Sequence, residues 1–356
     1  MIDIKIGAKL PKARYIAFFR DGRGDFPLLN YSFEIWENLP KDHSAYLVLS
    51  LNDTEAVGVG FKYIANHIPF FSDVNCNETE HEHESMPLAF FDCIAKASKG
   101  DALLGYLKAD VDNMGKLLRY SFQPEEPSGK FKIPNIKPSI SRFCSFSRML
   151  EIFFSGYLQM RLKNDHRRLY TIFSGGDDLF ITGPWDEIID FAHEMRKEFS
   201  RFTGYNPDLS FSSGILLAKP HEPISFCAEK AEEKLKASKH NKDKDRITLF
   251  DQTVSWSELN KILSEAKRVI EWLEKRPPII SRGTAYNFRV YAEMSQKYEE
   301  TKDTRWLKFV PLLIYDVNRN LTKKEQINAY NWALNLSPTI RKDIGEDNLP
   351  YLKTIM

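Results

Sequence analysis

The chain has 356 residues, of which 42% are hydrophobic and 13% aromatic, enough for sizeable cores in two or three domains. A formal net charge of +1 gives no bulk support for nucleic-acid binding, so any such surface must be local. There is no apolar run of about 18 residues that would suggest a membrane span. The N-terminus also lacks the apolar core of a signal peptide. The four cysteines, Cys76, Cys93, Cys144 and Cys227, form no Cys-x-x-Cys pair. That argues against a zinc finger and against a disulfide framework, and it fits a reducing cytoplasm.

Residues 1–88 read as a small β-rich module. Strands are predicted at Arg14–Phe19, Ser32–Trp36 and Ala45–Ser50, punctuated by Gly22, Gly24, Pro27, Asn52 and Asp53. An acidic loop over 73–84 holds His81 and His83; without apolar periodicity it reads as a surface loop rather than a metal site. Residues 89–251 alternate helix and strand. The pattern predicts a helix (89–98), a strand (103–109), a helix (113–120), a Pro-rich loop (121–139) and a long helix (140–163). A hairpin (168–183), a helix (185–202), a strand (208–218), a helix (224–240) and a strand (246–250) follow. This predicts an α+β central domain with a mostly antiparallel sheet, ferredoxin-like or palm. Residues 252–356 carry helical patterns at Trp256–Lys275, Ser281–Thr301, Trp306–Asn320 and Lys323–Leu334, a C-terminal all-α domain.

Chemistry concentrates in Phe173-Ser174-Gly175-Gly176-Asp177-Asp178-Leu179-Phe180, where two apolar strands flank a turn of glycines and acids. Two adjacent carboxylates repel, so they belong either in full solvent or beside a cation. A solvated turn is the plain reading, since Asp and Gly are favoured turn residues. A second acidic cluster shifts the balance: the apolar strand 103–109 runs into Asp110-Val111-Asp112-Asn113-Met114-Gly115. Ligands bind at the carboxyl ends of strands in open sheets. If the strand lies beside the hairpin, Asp110, Asp177 and Asp178 converge with a few carbonyls, a set suited to Mg²⁺ or Mn²⁺ and a nucleotide's phosphates. Gly175 and Gly176 then permit close approach of a phosphate, and the amides of Asn113, Met114 and Gly115 open a helix toward it. Lys239 extends the apolar stripe of Ala228, Ala231 and Leu235; its amine either snorkels or reaches a triphosphate.

The run Gly105–Gly115 resembles the first palm motif of the large subunit of type III CRISPR effector complexes, Csm type. Ser174–Phe180 resembles its cyclase signature. Ser141–Arg148 with Phe153–Gly156 resembles its connecting helix, and the likeness continues through Ser212–Ile215, Ala231–Lys239 and Tyr286–Tyr291. The resemblance implies a nucleotide-cyclase-like palm that joins ATP into cyclic oligoadenylates, second messengers of antiviral defence, when target RNA is bound. It implies a metal held by Asp110, the Val111 carbonyl, Asp177 and Asp178, a phosphate contact for Lys239 and a nucleotide contact for Ser147. The implied partners are the other subunits of the complex and, through it, guide RNA and target RNA, with no membrane. The family's HD nuclease domain, first palm and cysteine zinc site have no counterpart here, so the chain is read as a C-terminal fragment or half of a split subunit. Alone it is expected to bind ATP and metal but turn over poorly. The alternative is a non-catalytic scaffold that docks guide RNA and small subunits. A diguanylate-cyclase-like enzyme fits less well, because Leu179 rather than phenylalanine follows the acid pair.

Overall fold

The computed structural model describes residues 14–20, 24–28, 31–41, 44–53, 59–74, 88–115, 140–240, 244–322 and 324–334. The His81–His83 loop, the Pro-rich loop and most of the helix expected at 113–120 lie outside the described residues. Two compact units divide the chain, Met1–Thr248 and Leu249–Met356. Among the described residues no helix is long and apolar enough to cross a membrane.

The first unit begins with β1 (Tyr15–Phe19), β2 (Phe26–Leu28), β3 (Tyr31–Trp36), β4 (Leu47–Leu51) and β5 (Gly60–Lys62), ordered β2-β3-β1-β4-β5 in one sheet. The three longer strands match the alternating patterns in the sequence. β2 and β5 are three-residue edge strands, too short to show a period of two. Helical segments α1 (Phe71–Val74) and α2 (Phe91–Lys96) follow. Cys93, on α2, is disulfide-bonded, whereas Cys144 and Cys227 are free.

The second sheet is built on β6 (Leu104–Val111). Its antiparallel neighbours are β8 (Asp178–Pro184) and β9 (Phe211–Ala218). β7 (Tyr170–Gly175) lies outside β8, and β10 (Arg246–Leu249) runs parallel to β9. Within the first unit the order is β10-β9-β6-β8-β7, the mostly antiparallel palm sheet that the sequence implied. The long helix expected at 140–163 is α3 (Ile140–Glu151), a π-helical turn (Ile152–Tyr157) and α4 (Leu158–Asp165). The π turn widens the helix where Phe153 and Phe154 meet Phe199 of α5 (Trp185–Phe202), and such bulges recur beside functional sites.

Strand alternation assigns the two sheet faces. Gly105 meets α5, where an added Cβ would stand 2.9 Å from Ile188 Cβ. The intervening residues Leu104, Tyr106, Lys108 and Asp110 point to the other face, which α6 (Ile224–His240) covers. There Tyr106, Phe180, Cys227 and Ala231 share a buried core with Cys93 and Ile94. Gly214 lies opposite Lys108, and a Cβ there would overlap the backbone nitrogen of Leu235, so α6 rests directly on the sheet. The second unit contains β11 (Gln252–Ser255), α7 (Trp256–Glu274), α8 (Arg282–Thr301), α9 (Phe309–Asn320) and α10 (Ile327–Leu334). Ser255 and Glu258 form a capping box at the start of α7. Trp272, Phe288 and Trp332 pack as its aromatic centre.

Two stability tests follow from this packing. Gly214→Ala is expected to lower stability by about 1–3 kcal/mol, the usual range for overpacking, read as a drop in the midpoint of thermal unfolding. An unchanged midpoint would mean that α6 does not need the glycine. The second test concerns His166, which is buried between Glu187 (3.4 Å) and Glu194 (3.1 Å), with Arg168 and Arg161 on the same acids. Burial opposes its charge, but hydrogen bonds to Glu187 and Glu194 outweigh burial and raise its pKa above 6.5. A group raised in the folded state stabilises fully below its unfolded pKa and loses that contribution as pH rises through the folded value. The stability gap between wild type and His166→Gln is therefore expected to be widest near pH 5.5 and to shrink by pH 9. A gap that widens with pH would contradict this.

Candidate functional site

The turn between β7 and β8 consists of Gly176, at φ +65°, and Asp177. Gly176 takes the left-handed backbone that a Cβ disfavours. Asp178 is not at the tip. It is the first residue of β8, directly opposite Gly175 on one side and Asp110 on the other. The Val111 amide donates to the Asp177 carbonyl (2.9 Å), fastening the end of β6 to the turn. From below, the connecting helix holds the hairpin: Ser174 Oγ donates to the Phe154 carbonyl (2.8 Å) and Ser155 Oγ to the Ser174 carbonyl (3.3 Å). Both serines lie in the runs singled out in sequence, where nothing in their spacing marks this role.

Asp110 and Asp178 thus form one cross-strand rung of like charge on the α6 face, with Asp177 adjoining. Burial is the main cause of a raised pKa for both Asp110 and Asp178; the Asp177 charge adds to both, with Asp112 adding at Asp110 and Asp110 adding at Asp178. Lys239, near the end of α6, is ion-paired with Asp110 and partly offsets that rise. One rung further from the turn Lys108 pairs with Glu232 of α6 at 2.8 Å, and the Lys108 charge works against the rise at Asp178. The second charged rung was not anticipated.

Of the residues singled out in sequence, the structure brings together Asp110, Val111, Asp177, Asp178, Gly175, Gly176 and Lys239. Asn113 follows directly, at φ 57°, so helical backbone begins at Met114 and Gly115 rather than at Asn113. Ser147 is exposed on α3, and among the described residues no hydrogen bond joins it to the acids. Asp112, by contrast, turns inward and is fully buried.

Among the described residues no three acidic, His or Cys side chains are already drawn into a metal cluster. The donor set nonetheless suits a hard divalent cation: carboxylates alone, with repulsion that a cation relieves and an ammonium standing beside one of them. A cavity of about 1190 Å³ lies elsewhere in the first unit, lined by Arg14, Tyr63, His67, Tyr157 and Lys163 among others. None of the acids of the rung lines it, so chemistry rather than size locates the site.

Residues 103–248 match the family model described as Cas10/Cmr2, second palm domain. The chain is 32% identical over 239 residues to a protein of Mycobacterium tuberculosis, covering 63% of this chain and 28% of that one. It is 29% identical over 201 residues to one of Methanocaldococcus jannaschii, covering 50% and 24%. Both relatives are described as CRISPR system single-strand-specific deoxyribonuclease Cas10/Csm1 (subtype III-A), and the chain spans about a quarter of their length. In structure it superposes on an apo Csm1–Csm4 cassette with a TM-score of 0.70 at 18% identity, covering 99% of this chain and 49% of that one. A Csm1–Csm4 cassette in complex with one ATP gives 0.67 at 18%, with the same coverage. Residues 103–248, which carry the acid rung, thus match a second palm domain of the Cas10/Cmr2 kind, and the chain is similar to part of the Cas10/Csm1 type III-A large subunits.

Proposed function

We propose that this chain binds ATP through a divalent cation at the Asp110–Asp178 rung and supplies the palm half of a cyclic-oligoadenylate synthase in a type III-A CRISPR effector. The observation that carries the reading is the rung itself: two facing carboxylates at strand ends, raised in pKa by burial and neighbouring acid charge, within reach of a lysine. Asp110, the Val111 carbonyl, Asp177 and Asp178 would hold Mg²⁺ or Mn²⁺. The bound ion supplies charge neutralisation for the triphosphate and its leaving pyrophosphate.

The side chains have distinct tasks in this reading. Gly175 and Gly176 leave room for the phosphates to approach the hairpin backbone. Lys239, paired with Asp110 here, would be free to meet phosphate oxygens where that carboxylate held a cation. Asp177 or Asp178 accepts the proton of the attacking 3′-hydroxyl, and Asp178, raised above the usual carboxylate range, suits that task. The amides of Asn113, Met114 and Gly115 contact phosphate, and Ser147 contacts the nucleotide. Solved relatives include Csm1–Csm4 cassettes with pppApA, pppApApA and cA3, which supports stepwise growth and closure of an oligoadenylate. The second nucleotide is held by a first palm on another chain or another part of the protein. Csm4-like subunits, guide RNA and target RNA complete the assembly.

Calorimetric titration of ATP with Mn²⁺ into the chain tests this. Wild type is expected to bind only with the metal, and Asp177→Ala/Asp178→Ala is expected to weaken binding at least tenfold. Equal binding by both proteins would move the nucleotide elsewhere, and no binding by wild type would favour a scaffold role.

A further inference from the structure

Asp112 is a buried acid that the proposed chemistry does not use. It stands two residues beyond Asp110 and is 0% exposed. One oxygen, Oδ1, accepts from Ser212 Oγ at 2.8 Å. The other, Oδ2, accepts from Ser210 Oγ at 2.8 Å and from the Asp245 amide at 3.0 Å. Its own backbone amide donates to the Ser210 carbonyl (2.8 Å). Asp245 is in turn gripped by Arg196 of α5 through Nε (2.6 Å) and a terminal nitrogen (2.8 Å). Both Asp245 (φ 67°) and Asn113 (φ 57°) hold left-handed backbone beside this carboxylate. Such conformations persist where the surroundings over-determine them, commonly next to active sites.

Three consecutive residues are thereby fastened in three directions. The Asp110 side chain goes to Lys239 on α6, the Val111 amide to the hairpin turn, and Asp112 to β9 and the approach to β10. We propose that Asp112 is a positioning residue. Its carboxylate fixes the backbone at Val111, and so the carbonyl and the Asp110 rung, without touching cation or nucleotide. Three groups donate to that carboxylate, whereas an amide keeps only one acceptor oxygen and no charge, so the Ser212 hydroxyl would have to turn round and accept from its NH₂ group. Asp112→Asn is close in shape but lacks the charge and one of the two acceptor oxygens. The effect on metal binding rests on the ATP-site reading above; the effect on the backbone does not.

The experiment pairs two readouts on the full chain carrying Asp112→Asn or the milder Ser212→Ala. Amide hydrogen exchange at Val111 needs no ligand, and both variants are expected to speed it, Asp112→Asn at least tenfold. Calorimetry with ATP is expected to show a Mn²⁺ midpoint raised at least tenfold in Asp112→Asn and less in Ser212→Ala. His166→Gln, a lesion in a separate network, is the control for lost stability alone and should leave both readouts within twofold. Unchanged exchange in both variants would overturn the proposal. Complete loss of Mn²⁺ binding in Asp112→Asn with undisturbed exchange would make Asp112 a ligand instead. If wild type bound no Mn²⁺–ATP, the site reading would fail while exchange still decided the role of Asp112. Should Asp112→Asn fail to fold, Ser212→Ala carries the same comparison.

Discussion

The structure turns on one unfavourable contact. Asp110 and Asp178 face each other across β6 and β8, where like charges directly opposite destabilise a sheet. The surroundings answer that repulsion without removing it. Lys239 comes down from α6 onto Asp110, and Lys108 sits one rung behind, already paired with Glu232. α6 reaches the rung because Gly214 has no side chain to hold the helix off the sheet. A sheet that only had to fold would do better with a neutral pair at this position. Keeping two raised carboxylates in register instead makes sense for a site that receives a cation.

The backbone around the rung is held more firmly than its acids. The hairpin is tied to β6 through Val111 and to the π turn through Ser174 and Ser155, while Asp112 ties β6 to β9. Edge-to-face contacts of Phe199 with Phe153 and Phe211 hold the connecting helix and α5 on the opposite face. Rigid support under a pair of charged side chains is what orienting a metal and a triphosphate demands.

Much of this was legible in the chain. The Gly-Gly-Asp-Asp hairpin carries its own turn chemistry, the strand 104–111 its apolar run, and α5 and α6 their helical stripes. The convergence of Asp110 with the hairpin follows once those elements share a sheet. What sequence does not carry is registry. Nothing in two adjacent aspartates says that one lies in the turn and the other on the first rung of β8. Asp110 and Asp112 look equivalent two residues apart, yet one faces α6 and the other folds inward onto serines a hundred residues away. The His166 network depends on partners distant in sequence, and the edge strands β2 and β5 are too short to leave a pattern.

The most direct test of the proposed cation site is anomalous diffraction at the manganese edge from crystals grown with ATP and Mn²⁺. A peak between the carboxylates of Asp110 and Asp178, with Lys239 released from Asp110 toward the triphosphate, is the expected result. Ordered ATP whose manganese sits away from this rung, with the Lys239–Asp110 pair intact, would contradict it.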